Sequence, residues 1–322
     1  MTVRIGHIGF LNCYPLYHGL EQRGVLAHEK PGGRRGGPDL EFFPGVPTDL
    51  NRMLLEGDID FGPISSIAYA RDHRRLLVSR HVSISSLGAV ESIQLVARRP
   101  LPEIRKVALT RQSATAVALL KTLFKLRFGL QVDYMELEGS VDEALKGCDA
   151  VLLIGDEGLT AFHFPRRGAT CHDLGALWQE WTGLPMVYAV WATREEFART
   201  NGPELTAAEE ELARCMDYGR EHLPEVVDAA VGRFPFDRES LARYFALLRY
   251  GFPPEYRQGL RRFYELAHRA GELTELPQIR FIDEFTAPRA AEPSAASASA
   301  GAGPAATSSQ ASADGAGAEV TP

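Results

Sequence analysis

The chain has 322 residues, 45% of them hydrophobic, with a formal net charge of −7 and a pI near 5.8. That is enough apolar material for one or two domains with a substantial core. The acidic balance excludes a basic field for nucleic acid, and apolar runs such as "AVLLIG" (150–155) are too short to cross a bilayer.

In chain order, "MTVRIGHIGF" reads as a strand and lacks the basic region, long apolar run and cleavage site of a signal peptide, so a cytoplasmic location is expected. The strand's apolar run ends at Asn12, and Pro15 opens a helix three residues later. A Gly/Pro/Arg loop (29–38) precedes the strand "DLEFFPG". The helix "PTDLNRMLLEG" starts at Pro47 or Thr48 and stops at Gly57. Strand "DIDFGPI" and the short helix "SSIAYARD" follow. "SIQLVAR" and "KVALT" read as strands and "ATAVALLKTLFKLRFG" as a long apolar helix. Strand "VDYMELEG", helix "SVDEALKG" and strand "CDAVLLIG" complete another unit, and the pattern from about Arg194 to Gly271 is helical. Residues 286–322 are rich in Ala, Ser, Gly and Pro and predict a disordered tail.

Strands separated by single helices imply an α/β class with parallel sheets. There are two such runs, one ending near Ser92 and one filling 93–190. With the helical remainder packed back onto the first, the layout resembles a two-lobed periplasmic-binding-protein-like fold. Residues 1–92 and 191–285 would form one lobe and 93–190 the other, with a ligand cleft between them.

In open α/β sheets, ligands collect beyond the carboxyl ends of strands. Asn12 lies at such an end. Its amide carries two donors and an acceptor, suited to orienting a hydroxyl or carboxylate, and it is equally a good helix cap. Ser65 and Ser66 precede a helix, where hydroxyls and unpaired N–H groups make an anion site or an ordinary cap. Thr110, Ser113 and Thr115 make the same transition in the second lobe, an arrangement that would suit a ligand with two carboxylates. Ser83, Ser85, Ser86 and Ser92 cluster around Gly88 near the expected crossover, with Glu91 as the nearby carboxylate. A serine on a half-buried strand also simply suits solvent. Asp156 and Glu157 end the strand "AVLLI", placed to line the cleft or to cap a helix. His7 lies within the first strand, where packing is the simpler reading, and His81, His163 and His172 are scattered. The four cysteines, Cys13, Cys148, Cys171 and Cys215, lack metal-ligand or disulfide spacing and read as reduced thiols. No G-x-S-x-G, phosphate-binding loop, HExxH or CxxC motif occurs, so neither a metal nor another cofactor is expected.

The segments "IGHIGFLNCYPLYHGL", "LLEGDIDFGPISSIAYA", "GAVESIQLV", "VALTRQSATAVALL", "AVLLIGDEGLT" and "HDLGALWQEWTGLPMVYAVWATR" resemble, in this order, the chorismate dehydratase family of the futalosine route to menaquinone. The likeness runs over residues 3 to 285. It implies the type-2 periplasmic-binding-protein fold in a cytoplasmic, cofactor-independent hydro-lyase. The reaction it implies converts chorismate into 3-(1-carboxyvinyloxy)benzoate and water. The family's LNxxP and GxVxS motifs put its functional Asn and Ser on Asn12 and Ser92. Ser65, Ser66, Thr110, Ser113, Ala114, Thr115, Gly155 and Asp156 are then expected to hold the dicarboxylate substrate. A neutral amide is a poor base, so Asn12 is assigned orientation. The proton acceptor stays open between a substrate carboxylate, Glu91 and His7. Two alternatives stand beside this one: the sister dihydroxynaphthoate synthase of the same pathway, and a non-catalytic small-carboxylate-binding protein. No nucleic-acid or membrane partner is expected. An oligomer is compatible with the chain, with the helical region 194–271 as the place for its contacts.

Overall fold

The computed structural model of this chain describes residues 1–26 and 37–286. The expected Gly/Pro/Arg loop and C-terminal tail fall outside these residues, apart from Gly37, Pro38 and Thr286. Strand β1 (Val3–His7) runs through a 3-10 turn (Leu11–Cys13) into α1 (Tyr14–Gln22), with Pro15 in its first turn. β2 (Leu40–Pro44), α2 (Pro47–Glu56), β3 (Phe61–Ser65), α3 (Ser66–Arg71) and the long β4 (Leu76–Ser86) come next. Then follow β5 (Ile93–Ala97), β6 (Lys106–Leu109), α4 (Ala114–Thr122) and β7 (Asp133–Glu136). α5 (Val141–Gly147), β8 (Ala150–Ile154), α6 (Gly155–His163), β9 (Thr170–Asp173) and α7 (Leu174–Thr182) continue the chain. After β10 (Met186–Arg194) it is mainly helical: α8 (Glu195–Thr200), α9 (Gly202–Glu221), α10 (Leu223–Ala230) and α11 (Arg238–Leu247). The short β11 (Leu248–Arg249), α12 (Pro254–Ala270) and α13 (Asp283–Thr286) end the described chain.

Local signals explain several of these boundaries. α2 begins on Pro47 and stops at Gly57, whose φ of 89° is the left-handed cap that only glycine adopts without strain. α5 carries a reciprocal capping box between Ser140 and Glu143. The helix expected over 114–129 instead leaves α-geometry after Thr122 and continues as a π-helical turn, Leu123–Arg127.

The strands form two sheets, one of six strands in the order β11-β4-β10-β3-β1-β2 and one of five in the order β7-β6-β8-β5-β9. Both sheets are mixed, unlike the parallel sheets that the alternation of strands and helices implies. β10 runs antiparallel to β3 and β4, and β5 antiparallel to β8 and β9. The reason lies in the crossings: a strand that passes from one sheet into the other needs no helical crossover, and it enters reversed. The chain crosses once between β4 and β5 and returns between β9 and β10. β10 pairs with the six-stranded sheet from Met186 onward, so the return comes ahead of the 190/191 boundary expected from the sequence.

β10 is buried along all but its last residue, as a central strand covered on both faces must be. Trp178 and Trp191 are fully buried in the core that joins the sheets, and Trp178 Nε1 donates to the Pro185 carbonyl at 3.1 Å. Among the described residues, no helix is long and apolar enough to cross a membrane.

Candidate functional site

The two sheets point the carboxyl ends of β1, β3 and β8 at a shared, narrow cleft that encloses about 40 Å3. Its polar lining comes from Asn12, Ser65, Ser92, Ser113 and Tyr188, and apolar side chains such as Phe10 and Ile154 make up most of the rest. None of the described lining residues is an Asp, Glu, Lys, Arg or His. An anion in such a cleft would be held by hydroxyls and amide dipoles and not by ion pairs.

Asn12 reaches the cleft from the 3-10 turn after β1, and its Oδ1 is buried without a hydrogen-bond partner. Ser65 ends β3; its N–H donates to Asn51 Oδ1 at 2.8 Å, while its Oγ is likewise buried and unpartnered. Buried polar atoms normally have partners, so two orphans facing one cleft point to a ligand that supplies them. Ser113 caps α4, accepting the Ala116 N–H at 3.2 Å, which leaves its own hydroxyl proton to donate outward. Ser92 begins the strand β5 side of the crossing; its hydroxyl lies 3.4 Å from the Val90 carbonyl and next to the Tyr244 phenol. Burial pushes the Tyr244 phenol far above its ordinary range, so it stays protonated.

Two sets of hydrogen bonds tie the sheets together on either side of the cleft. Asp156 Oδ1 accepts the Leu11 N–H at 3.0 Å. Burial raises the Asp156 carboxyl pKa, and the Leu11 hydrogen bond opposes that rise. Thr115 Oγ1 accepts the Ile67 N–H at 3.2 Å and lies 3.3 Å from Ser66 Oγ, which also donates to the Val187 carbonyl at 2.8 Å. In each set, a turn of the six-stranded side that lacks a side-chain cap of its own is capped by a residue of the five-stranded side.

Of the residues singled out in the sequence, Asn12, Ser65, Ser92, Ser113 and Gly155 come together at the cleft. Gly155 has φ 59°, and a Cβ there would meet the Phe10 ring at 3.1 Å, so this left-handed residue lets the two sides close. Ser66, Thr115 and Asp156 lie in the bridging hydrogen bonds described above. Thr110 Oγ1 accepts the Gln112 N–H at 3.2 Å, and Ala114 opens α4; neither lines the cleft. His7 packs its ring against Tyr17, with centroids 4.0 Å apart. Glu91 is buried away from the cleft against Arg243 and His163. Tyr188, Tyr244 and Asp173 escaped the sequence reading. Tyr188 lines the cleft with its hydroxyl 2.9 Å from Ser86 Oγ, and Asp173 caps α7 while accepting the Val90 and Glu91 N–H groups. The signal for Tyr188 is its place in the apolar strand "MVYAVWATR", and that for Asp173 is an Asp directly before the helix "LGALWQEWT"; nothing in the local sequence marks Tyr244.

Residues 3–269 match the family model described as menaquinone biosynthesis. The chain is 33% identical over 270 residues to a chorismate dehydratase of Thermus thermophilus, covering 80% of this chain and 92% of the relative. It is 30% identical over 182 residues to the 1,4-dihydroxy-6-naphtoate synthase of the same organism, covering 56% of this chain and 63% of that protein. Among solved structures, a Candida albicans protein with the generic periplasmic binding protein fold matches with a TM-score of 0.64, over 85% of this chain and 92% of that one, at 12% identity. That last likeness speaks to the fold alone, and it agrees with the two-lobed α/β architecture expected from the sequence. With its motifs, fold and near full-length relative in accord, the chain belongs to the menaquinone biosynthesis family.

Proposed function

We propose that the protein is a chorismate dehydratase, converting chorismate into 3-(1-carboxyvinyloxy)benzoate and water. The observation that carries this reading is the pair of orphaned buried polar atoms, the acceptor Asn12 Oδ1 and the hydroxyl Ser65 Oγ, in one uncharged cleft with Ser92. Chorismate carries two carboxylates and one hydroxyl, and those groups match the hydroxyls and the amide on offer.

In the proposed reaction the C–H bond at the carbon bearing the enolpyruvyl ether breaks, and its electron pair spreads through the ring double bond into the ring carboxylate. The neighbouring C–O bond then breaks, hydroxide leaves with a proton as water, and the ring becomes aromatic. Asn12 Oδ1 accepts from the ring hydroxyl and orients it. Ser92 donates to that oxygen as it departs. Ser65 and Ser113 donate to carboxylate oxygens, where charge grows in the transition state. The burial of Glu91 against Arg243 and the packing of His7 on Tyr17 favour the substrate's own second carboxylate as the proton acceptor. Closing the lobes excludes water from this exchange. No cofactor enters the scheme, and a cytoplasmic location accords with it.

The test is to incubate the purified protein with chorismate, without added metal or cofactor, and to analyse the products by mass spectrometry. A product lighter by one water, with the enolpyruvyl ether intact, supports the reading. Asn12→Ala and Ser92→Ala should then each abolish that product while leaving the fold intact by circular dichroism. Chorismate bound but recovered unchanged would favour a non-catalytic receptor. Absence of binding would favour the substrate of the sister synthase.

A further inference from the structure

Ser92 enters the cleft from an unusual piece of backbone. Glu91, just before it, has φ 57° and is the one non-glycine residue at positive φ among the described residues. The Ser92 N–H turns back to the Val90 carbonyl at 2.7 Å, which closes a three-residue turn around Glu91. A γ-turn with its central residue at positive φ is the rare, strained form, and strain of this kind persists only where the surroundings over-determine it.

Here they do. Asp173 Oδ2 accepts the Glu91 N–H at 2.6 Å and the Val90 N–H at 3.1 Å. The Gln94 amide donates to the Glu91 carbonyl and to Asp173 Oδ2, each at 3.0 Å. The Glu91 side chain is buried, and its Oε1 accepts from Arg243 Nε at 3.0 Å, while Oε2 lies 3.5 Å from His163 Nε2, close packing with no hydrogen bond between them. Arg243 belongs to α11, next to β11 of the six-stranded sheet, whereas His163 ends α6, which packs on β5 and β8 of the other. The two partners also approach each other, with Arg243 Nη2 at 3.5 Å from His163 Nδ1.

We propose that Glu91 is a positioning residue for Ser92 and not a proton acceptor: its carboxylate, hydrogen-bonded by the Arg243 guanidinium of one lobe and packed beside the His163 ring of the other, fixes the strained turn that aims the Ser92 hydroxyl into the cleft. The proposal rests on the reading that Ser92 acts in this cleft. It makes the aim of Ser92 depend on lobe closure, because Arg243, which holds Glu91, reaches it from the six-stranded side. A glutamate serving instead as base would have to leave Arg243 and turn toward the cleft.

Glu91→Gln keeps the side-chain shape and removes its charge; Glu91→Gly removes the side chain and relieves the backbone. Both should lower kcat by about tenfold to a hundredfold, the cost of misplacing a reacting group by about 1 Å, with KM changed by less than about threefold. The thermal midpoint of Glu91→Gly should be unchanged or higher, and the pH profile of Glu91→Gln should keep its wild-type shape. Wild-type kcat in both variants would overturn the proposal, as would a fall in kcat that only tracks lost stability. Loss of one limb of the pH profile in Glu91→Gln would instead identify a base. If the wild-type protein leaves chorismate unchanged, the functional reading fails separately. Crystal structures of the wild type and Glu91→Gly then decide: a Ser92 hydroxyl displaced in the variant supports the proposal, and one left in place overturns it.

Discussion

The Asp156 carboxylate accepts the Leu11 N–H at 3.0 Å, so the first turn of α6 caps the turn that carries Asn12 on the opposite side of the cleft. The position of Asn12 and the closure of the lobes therefore share one hydrogen bond. Asp156→Ala should lower kcat/KM for chorismate by about tenfold or more, the scale expected when a positioned group drifts. The free protein should also expand measurably in small-angle scattering. Unchanged kinetics together with an unchanged radius of gyration would show that this bond does not hold the cleft.

Gly158, one turn into α6, lets that helix lie against the Ser92 backbone. A Cβ at this position would sit 2.4 Å from the Ser92 carbonyl oxygen, and backbone cannot yield as a flexible side chain would. Gly158→Ala should destabilise the fold by about 1–3 kcal/mol through overpacking. Chorismate turnover should fall further than that loss of stability explains, because the displaced residue is Ser92. Urea unfolding and steady-state kinetics on the same preparation measure the two effects separately. Wild-type values for both would refute the close contact.

His7, His18, His163 and His172 are each held below the usual imidazole pKa by burial. An unfolded chain takes up protons at these sites from about pH 6.5 downward, and the folded chain does so only at lower pH, so stability declines across that window as pH falls. Burial raises Asp156, Asp173 and Glu209 instead, and their contribution has the opposite sign: present at low pH, lost as pH rises through their raised values. His18 is the clearest case among the histidines, buried between Tyr14 and Tyr218 with both ring nitrogens unpartnered. The thermal midpoint should fall between about pH 7 and pH 5.5, and His18→Leu should make that fall shallower. Equal slopes in the two proteins would remove His18 from the account.

The alternation of strands and helices was legible because each element carries its own punctuation, as in Pro47 to Gly57 or the Ser140–Glu143 capping box. β4 was harder to read. Arg80 and His81 interrupt its apolar pattern, and its serines are buried through contacts such as Ser83 with Ser85 that depend on the finished sheet. The cleft serines and Asn12 were visible as polar residues at strand ends. Which of them face a ligand was not, since Ser65 and Ser66 are neighbours in sequence but have different surroundings: one hydroxyl is unpartnered at the cleft and the other bonds to Val187. The strain at Glu91 is likewise invisible in sequence, because it arises from Asp173, Arg243 and His163, which converge only in three dimensions.

The unpartnered Asn12 Oδ1 has a consequence for turnover. Substrate and product of the proposed reaction bear the same two carboxylates, so the uncharged cleft distinguishes them chiefly by the hydroxyl. Once water has formed and escaped, the amide oxygen is again buried with nothing to accept from, at a cost of about 1–3 kcal/mol. The enzyme would then eject its own product: chemistry itself removes the contact that favoured the closed form. Calorimetry on Ser92→Ala should show chorismate binding about tenfold or more tighter than the dehydrated product, and Asn12→Ala should erase that preference.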